Sequence, residues 1–89
     1  HRRLAFLKVA PIVLMFVADY AKMSGGNEEQ AFYSATDTGF ISQNVYLYCA
    51  LRDLATVVVG YFDRGALKRV LNLKPSEHVI LTQPVAWPE

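Results

Sequence analysis

The sequence predicts an α/β or α+β layered fold, a short sheet flanked by one long and one short helix. Three observations carry that prediction. Apolar or β-branched blocks of strand length, "APIVLMFVADY", "ATVVVGYF" and "HVILT", recur along the chain. Between them lie segments that open on helix-start signals, "GGNEEQAFYS" and "FDRGALKRV". Polar breaks containing glycine or proline, "KMSGGNEEQ" and "NLKPSE", keep the blocks apart. Whether the strands pair parallel or antiparallel is left open.

The first strand is expected at residues 11–19. Its residues are dense in Val, Ile, Met and Phe, as in a strand buried on both faces, and Pro11 is tolerable only near its start. "GGN" then turns the chain. Asn27 is expected to cap a long helix that carries Glu28 and Glu29 in its first turn and runs to about Arg52. Gly39 inside that helix costs about 0.5–1 kcal/mol relative to Ala unless its space is needed for close packing. Phe40, Leu47 and Leu51 line one face of the helix and Ile41, Val45 and Tyr48 a neighbouring one. Such a helix needs cover from the sheet on one side and from a second subunit on the other.

A second strand is expected at residues 56–59, broken at Gly60. Asp63 reads as the N-cap of a short helix from Arg64 to about Leu71, with Phe62 and Leu67 at hydrophobic-staple spacing. Pro75 separates that helix from a third strand at residues 78–82, and Pro84 and Pro88 mark an irregular end.

Composition limits what such a fold can do. At 89 residues the chain is one domain at most, and domains nearer 60 residues bury only about 60% of the surface their unfolded chains expose. With 53% hydrophobic against 19% charged residues, it has apolar groups in need of cover. Nine basic and eight acidic residues leave a net charge of +1, too even a balance to steer nucleic acid. The longest apolar run, "VAPIVLMFVA", falls short of the roughly 20 residues of a spanning helix. The pattern of a signal peptide is incomplete around "HRR", and the start at histidine suggests a processed, tagged or truncated chain. No membrane association is expected, nothing demands an oxidising compartment, and the expected location is cytoplasmic.

Side-chain chemistry is sparse. No G-x-G-x-x-G, P-loop, H-E-x-x-H or paired-cysteine motif occurs. Two histidines, His1 and His78, are too few for a closed metal site. Cys49, late in its helix among Tyr48, Ala50 and Leu51, reads as a packed thiol rather than a nucleophile. Asp37 lacks a carboxylate partner for acid–base work. Tyr46, Tyr48 and Tyr61 suit core or interface packing, or the lining of a flat ligand. Lys68 and Arg69 read as a solvated helix face. No catalytic side chain and no metal ligand is assigned.

The order of the blocks adds a resemblance. "APIVLMFVADY", "DTGFISQNVYLYCALRDLATVVVGYFDRGALKRVLNL" and "VILTQPVAWP" together resemble the C-terminal half to two thirds of the FMN-dependent nitroreductase family. The best signal combines Asp37 to Gly39, Gln43 with Asn44, and "ATVVVGYFD" at Ala55–Asp63. The resemblance covers nearly all of the chain, which reads as a single incomplete nitroreductase-like domain over residues 1–89. It implies an intertwined homodimer with the long helix in its core and FMN between subunits. Val58, Val59 and Gly60 match the family's backbone segment near the reactive flavin nitrogen. The implied reaction is two-electron transfer from NADH or NADPH to an oxidised organic substrate such as a nitroaromatic or quinone. Two alternatives are a non-catalytic homo-oligomeric fragment and a flavin-dependent dehydrogenase of peptide heterocycles.

The chain departs from the family pattern in several places. The segment that supplies basic and small polar residues for the FMN phosphate would precede His1, and a basic pair after the last strand has no counterpart. Weak or no FMN binding is therefore expected without the upstream segment. Asp53 stands where the family usually closes the long helix with glycine, and Ala86 where it has the glycine of a "PVG" turn. If both kept a left-handed backbone, each would cost about 1–2 kcal/mol.

Overall fold

The structure is a computed structural model and describes residues 11–88. Strand β1 (Ile12–Asp19) follows Pro11 directly and ends where the Asp19 carboxylate accepts from the Ala21 N–H at 3.0 Å, capping a 3-10 turn over Tyr20–Lys22. Ser76 Oγ donates to the same oxygen at 2.8 Å, tying the turn to the start of the last strand. Helix α1 (Asn27–Leu51) comes next, then strand β2 (Ala55–Thr56), helix α2 (Arg64–Val70) and strand β3 (Glu77–Ala86). The sheet order is β1-β3-β2 and all its pairings are antiparallel, which decides the direction left open by the sequence in favour of an α+β layering.

Several boundaries differ from expectation for identifiable reasons. The N-cap of α1 is Gly26, extended at φ −83° and ψ 175°, so Asn27 is the first helical residue and makes no cap. The helix stops at Leu51, one residue early, because Asp53 takes φ 55° and the Leu54 N–H turns back to the Cys49 carbonyl at 2.8 Å. Asp53 thus keeps the left-handed turn that glycine would make. Ala86 does not need one: it lies in β3, buried and paired with Ala55. The third strand also runs past Pro84. A strand residue turns its N–H and C=O to the same neighbour, so the donor that Pro84 lacks falls on the side of β2, whose Thr56 Oγ1 donates to its carbonyl at 2.8 Å.

A bulge separates the two halves of β3. Phe16 pairs with Leu81 and Val17 with Val79, leaving Ile80 as the extra residue. The carbonyls at this irregularity are taken by Arg64, whose Nε donates to Val79 O at 3.2 Å and whose guanidinium reaches Ile80 O at 2.7 Å. The same guanidinium lies 4.3 Å over the Phe62 ring, and Asp63 caps α2 through the Ala66 N–H at 2.9 Å. Arg64 therefore docks α2 on the bulge.

Helix α1 inverts the expected polarity. The residues it buries are Gln30, Ser34, Thr38, Ser42 and Cys49, a ridge of mainly small polar side chains at helical spacing. Each polar member makes a bond. Thr38 Oγ1 donates to Ser34 O at 2.7 Å, Gln30 Nε2 donates to the Tyr20 and Met23 carbonyls at 3.2 Å, and Ser42 Oγ donates to Gln83 Oε1 at 2.8 Å. Gln83 is fully buried, and its Nε2 has no partner among the described residues.

Candidate functional site

The candidate site expected at Val58, Val59 and Gly60 lies in the segment that follows β2. Only Ala55 and Thr56 pair as a ladder, so the expected strand over 56–59 is cut short. Val58 turns its N–H out of the sheet to the Tyr46 hydroxyl on α1 at 2.7 Å. Val59 returns to β3 in an isolated bridge, its N–H donating to Thr82 O at 2.7 Å and its carbonyl accepting from Thr82 N at 3.0 Å. Gly60 then sits exposed, and among the described residues its N–H has no acceptor. A trans peptide points each N–H opposite to the preceding carbonyl. With Val59 O aimed at Thr82, the Gly60 N–H points away from β3, off an edge of the sheet that no other described strand covers.

The structure thus keeps Val58, Val59 and Gly60 together but separates their roles. Two of the three amides are consumed inside the chain, and Gly60 presents the remaining donor. Nothing inside the described residues demands glycine there. Its φ is not positive, and an added Cβ would meet only Leu81 Cδ2, at an ordinary 3.4 Å.

Beside this edge, the apolar faces of α1 are uncovered. Phe40 is 71% exposed and Leu51 86%, with Leu47 and Tyr48 more than half exposed. Ile41 and Tyr48 border an apolar cavity of about 520 Å³ that runs between α1 and the sheet residues Ile12, Leu14 and Val85. The expected division of the helix into two apolar faces is therefore present. One lines a groove with the sheet and the other is open. The expectation that the sheet covers an apolar stripe is corrected: it covers the polar ridge. Gly39 is exposed as well, and a Cβ there would meet nothing within 4 Å among the described residues.

Other candidates disperse. Cys49 is 2% exposed, a packed thiol at the wall of the cavity. Among the described residues no three His, Cys, Asp or Glu side chains gather as a metal site; His1 lies outside them, and His78 packs its ring 4.3 Å from that of Tyr20. Asp37 is exposed on α1. Lys68 donates to the Pro75 carbonyl at 2.8 Å, closing the turn after α2. The tyrosines part company: Tyr46 is half-buried and bonded, Tyr48 borders the cavity, and Tyr61 is 99% exposed. Sequence reasoning missed Tyr46 as the holder of Val58 and missed the ridge ending in Gln83; a four-residue spacing of Gln30, Ser34, Thr38 and Ser42 was the available signal. Among the described residues no helix is long and apolar enough to cross a membrane.

Comparison with known proteins gives the family. The nitroreductase family model matches residues 1–87. The chain is 35% identical over 81 residues to a Methanocaldococcus jannaschii protein named "Putative nitroreductase", covering 90% of this chain and 40% of that one. A solved structure from Ralstonia eutropha of the same description superposes with a TM-score of 0.85 at 32% identity, over 89% of this chain and 38% of that chain. A "Putative NADH Oxidase" from Clostridium acetobutylicum gives 0.78 at 29% identity, over 93% and 49%. The chain thus spans less than half the length of these relatives. From the family match over nearly its whole length, and from the fold it shares with solved relatives, the chain belongs to the nitroreductase family.

Proposed function

We propose that this chain is the C-terminal part of a single incomplete FMN-dependent oxidoreductase domain of nitroreductase type, in which Val58, Val59 and Gly60 form the backbone edge against the flavin ring. The observation that carries the reading is the outward-pointing N–H of Gly60, unpartnered among the described residues, on a residue that packing against those residues does not require to be glycine. A side-chain-free donor on an exposed edge fits the rim of a flat, hydrogen-bond-accepting ring. Val58 and Val59 hold the segment while Gly60 makes the contact. FMN, when bound, supplies two-electron chemistry between NADH or NADPH and an oxidised organic substrate such as a nitroaromatic or quinone. No side chain of the chain is assigned as acid or base.

The assembly that completes the site is a homodimer across α1. Its support is the open apolar face at Phe40, Leu47 and Leu51, three large side chains each more than half exposed on one side of the helix. This part of the reading stands without flavin, so a non-catalytic homo-oligomer is the competing function. The test is to purify the chain, record its visible spectrum and titrate FMN by fluorescence, then add NADH or NADPH. Saturable quenching followed by bleaching supports the oxidoreductase. A folded chain that takes up no FMN, even with the upstream segment of a relative supplied, refutes it.

A further inference from the structure

We infer that Tyr46 is a positioning residue: through its hydroxyl it fixes the direction of the free Gly60 N–H. The inference rests on the reading of Val58–Gly60 as the flavin-facing edge. Between Thr56, the last ladder residue, and Asp63, the cap of α2, the described residues fasten the backbone at two places. One is the Val59–Thr82 bridge to β3, the other the 2.7 Å bond from the Val58 N–H to Tyr46 Oη.

A single isolated bridge acts as a pivot. The chain can rock about the Val59–Thr82 axis, and every degree of rocking redirects the next peptide plane, which carries the Gly60 N–H. A second bond on the adjacent residue, directed to a different element, removes that freedom. Successive amides of an extended segment point to opposite sides. Val58 therefore reaches the helix while Val59 reaches the strand, and the two fastenings oppose one another. Tyr46 suits the task because its ring is anchored half-buried on α1 and its hydroxyl lies at the end of a rigid side chain with few rotatable bonds. Phenylalanine would keep the packing and lose the acceptor. The Val58 N–H would then have no partner among the described residues.

The experiment compares the full chain with Tyr46→Phe and Tyr46→Leu by amide exchange and backbone relaxation in nitrogen-labelled protein, followed by FMN titration of each. In Tyr46→Phe, Val58 exchange is expected to quicken on the order of five- to tenfold. The Gly60 order parameter should fall from about 0.85 toward 0.6, while Thr82 and the β1–β3 amides stay as they were. An unchanged Gly60 order parameter overturns the inference. So does loosening in Tyr46→Leu but not in Tyr46→Phe, which would assign the effect to ring packing. If the original chain binds FMN and Tyr46→Phe binds it equally well, the positioning role is overturned. If no form binds FMN yet Gly60 loosens in Tyr46→Phe, the positioning of the donor is upheld and the flavin reading of the edge is what fails.

Discussion

Gly39→Ala probes whether anything is meant to lie against the middle of α1. Gly39 is the midpoint of the helix, with residues Asn27 and Leu51 at equal distance on either side. Its backbone is helical, so alanine introduces no strain, and the new Cβ would find nothing within 4 Å among the described residues. Only helix propensity is then at work, and alanine is favoured over glycine in a helix interior by about 0.8–1.0 kcal/mol. For a domain of this size that is a rise in melting temperature of about 4–8 °C. The measurement is a thermal melt by far-UV circular dichroism at a concentration where sedimentation finds single chains. An unchanged or lowered melting temperature under those conditions refutes the reasoning, because some group of the chain must then abut Gly39. At concentrations where chains associate, the sign is expected to reverse if two α1 helices cross at the glycine, and the dissociation constant should rise.

Replacing Phe40 and Leu51 by serine should convert an oligomer to single chains: each apolar side chain contributes about 1.5–3 kcal/mol on burial and is counted twice across a two-fold interface. Unchanged sedimentation of the double variant would place the interface elsewhere. Ser42→Ala removes the one hydrogen bond that the Gln83 side chain makes among the described residues and should cost about 1–3 kcal/mol in urea titration, most of it recovered by adding Gln83→Met; a neutral Ser42→Ala would mean that this side chain has another partner. The hydrogen bond from Ser76, helped by the Ala21 N–H and by Lys22 and Lys74, holds the Asp19 carboxyl below its ordinary value. The folded chain therefore binds fewer protons there than the unfolded one, so this contribution is complete above the unfolded pKa of about 3.9 and disappears as pH falls through the lower folded value. Asp19→Asn should accordingly lose stability at neutral pH and match the parent in strong acid, and a pH-independent gap in acid-titration melts would contradict that linkage.

How far the sequence could be read depended on which physical cue each element obeyed. Asp63 and Glu28 with Glu29 announce their helices through local chemistry, and both helices lie where expected. The β1 block is apolar enough to be read from composition alone. Pro84 misled because a proline argues against a strand unless the neighbour on its donor side is known, and that neighbour, β2, is contributed from far away in the chain. The valines of "ATVVVGY" carry strong strand propensity, yet Val58 leaves the ladder because Tyr46 offers its amide a better-placed acceptor. The inner face of α1 was illegible for a related reason. Small hydroxyl side chains that bond within their own helix can be buried at little cost, so polarity ceased to mark the outside. Resemblance singles out Gly60, but only the fold separates its amide, unpartnered among the described residues, from the two engaged before it.

The bulge at Ile80 decides which face each end of β3 presents. Phe16 and Val17 are successive residues and face opposite ways, so their partners Leu81 and Val79 do too, although they are two apart in sequence. The extra residue therefore works as a change of phase. Before it, Val79 is turned to the side of Val17; after it, Leu81, Gln83 and Val85 share the side of Phe16, Leu14 and Ile12, where α1 lies. A chain lacking Ile80 would have its alternation restored, and either the Val79 end or the Gln83 end would turn its side chains to the opposite face. With Arg64 gripping the two carbonyls at the phase change, length along β3 is metered from that point. Insertions or deletions between Val79 and Gln83 would change the faces that the two ends of β3 present, whereas the same changes in the exposed turn at Lys74 and Pro75 would fall outside the metered span.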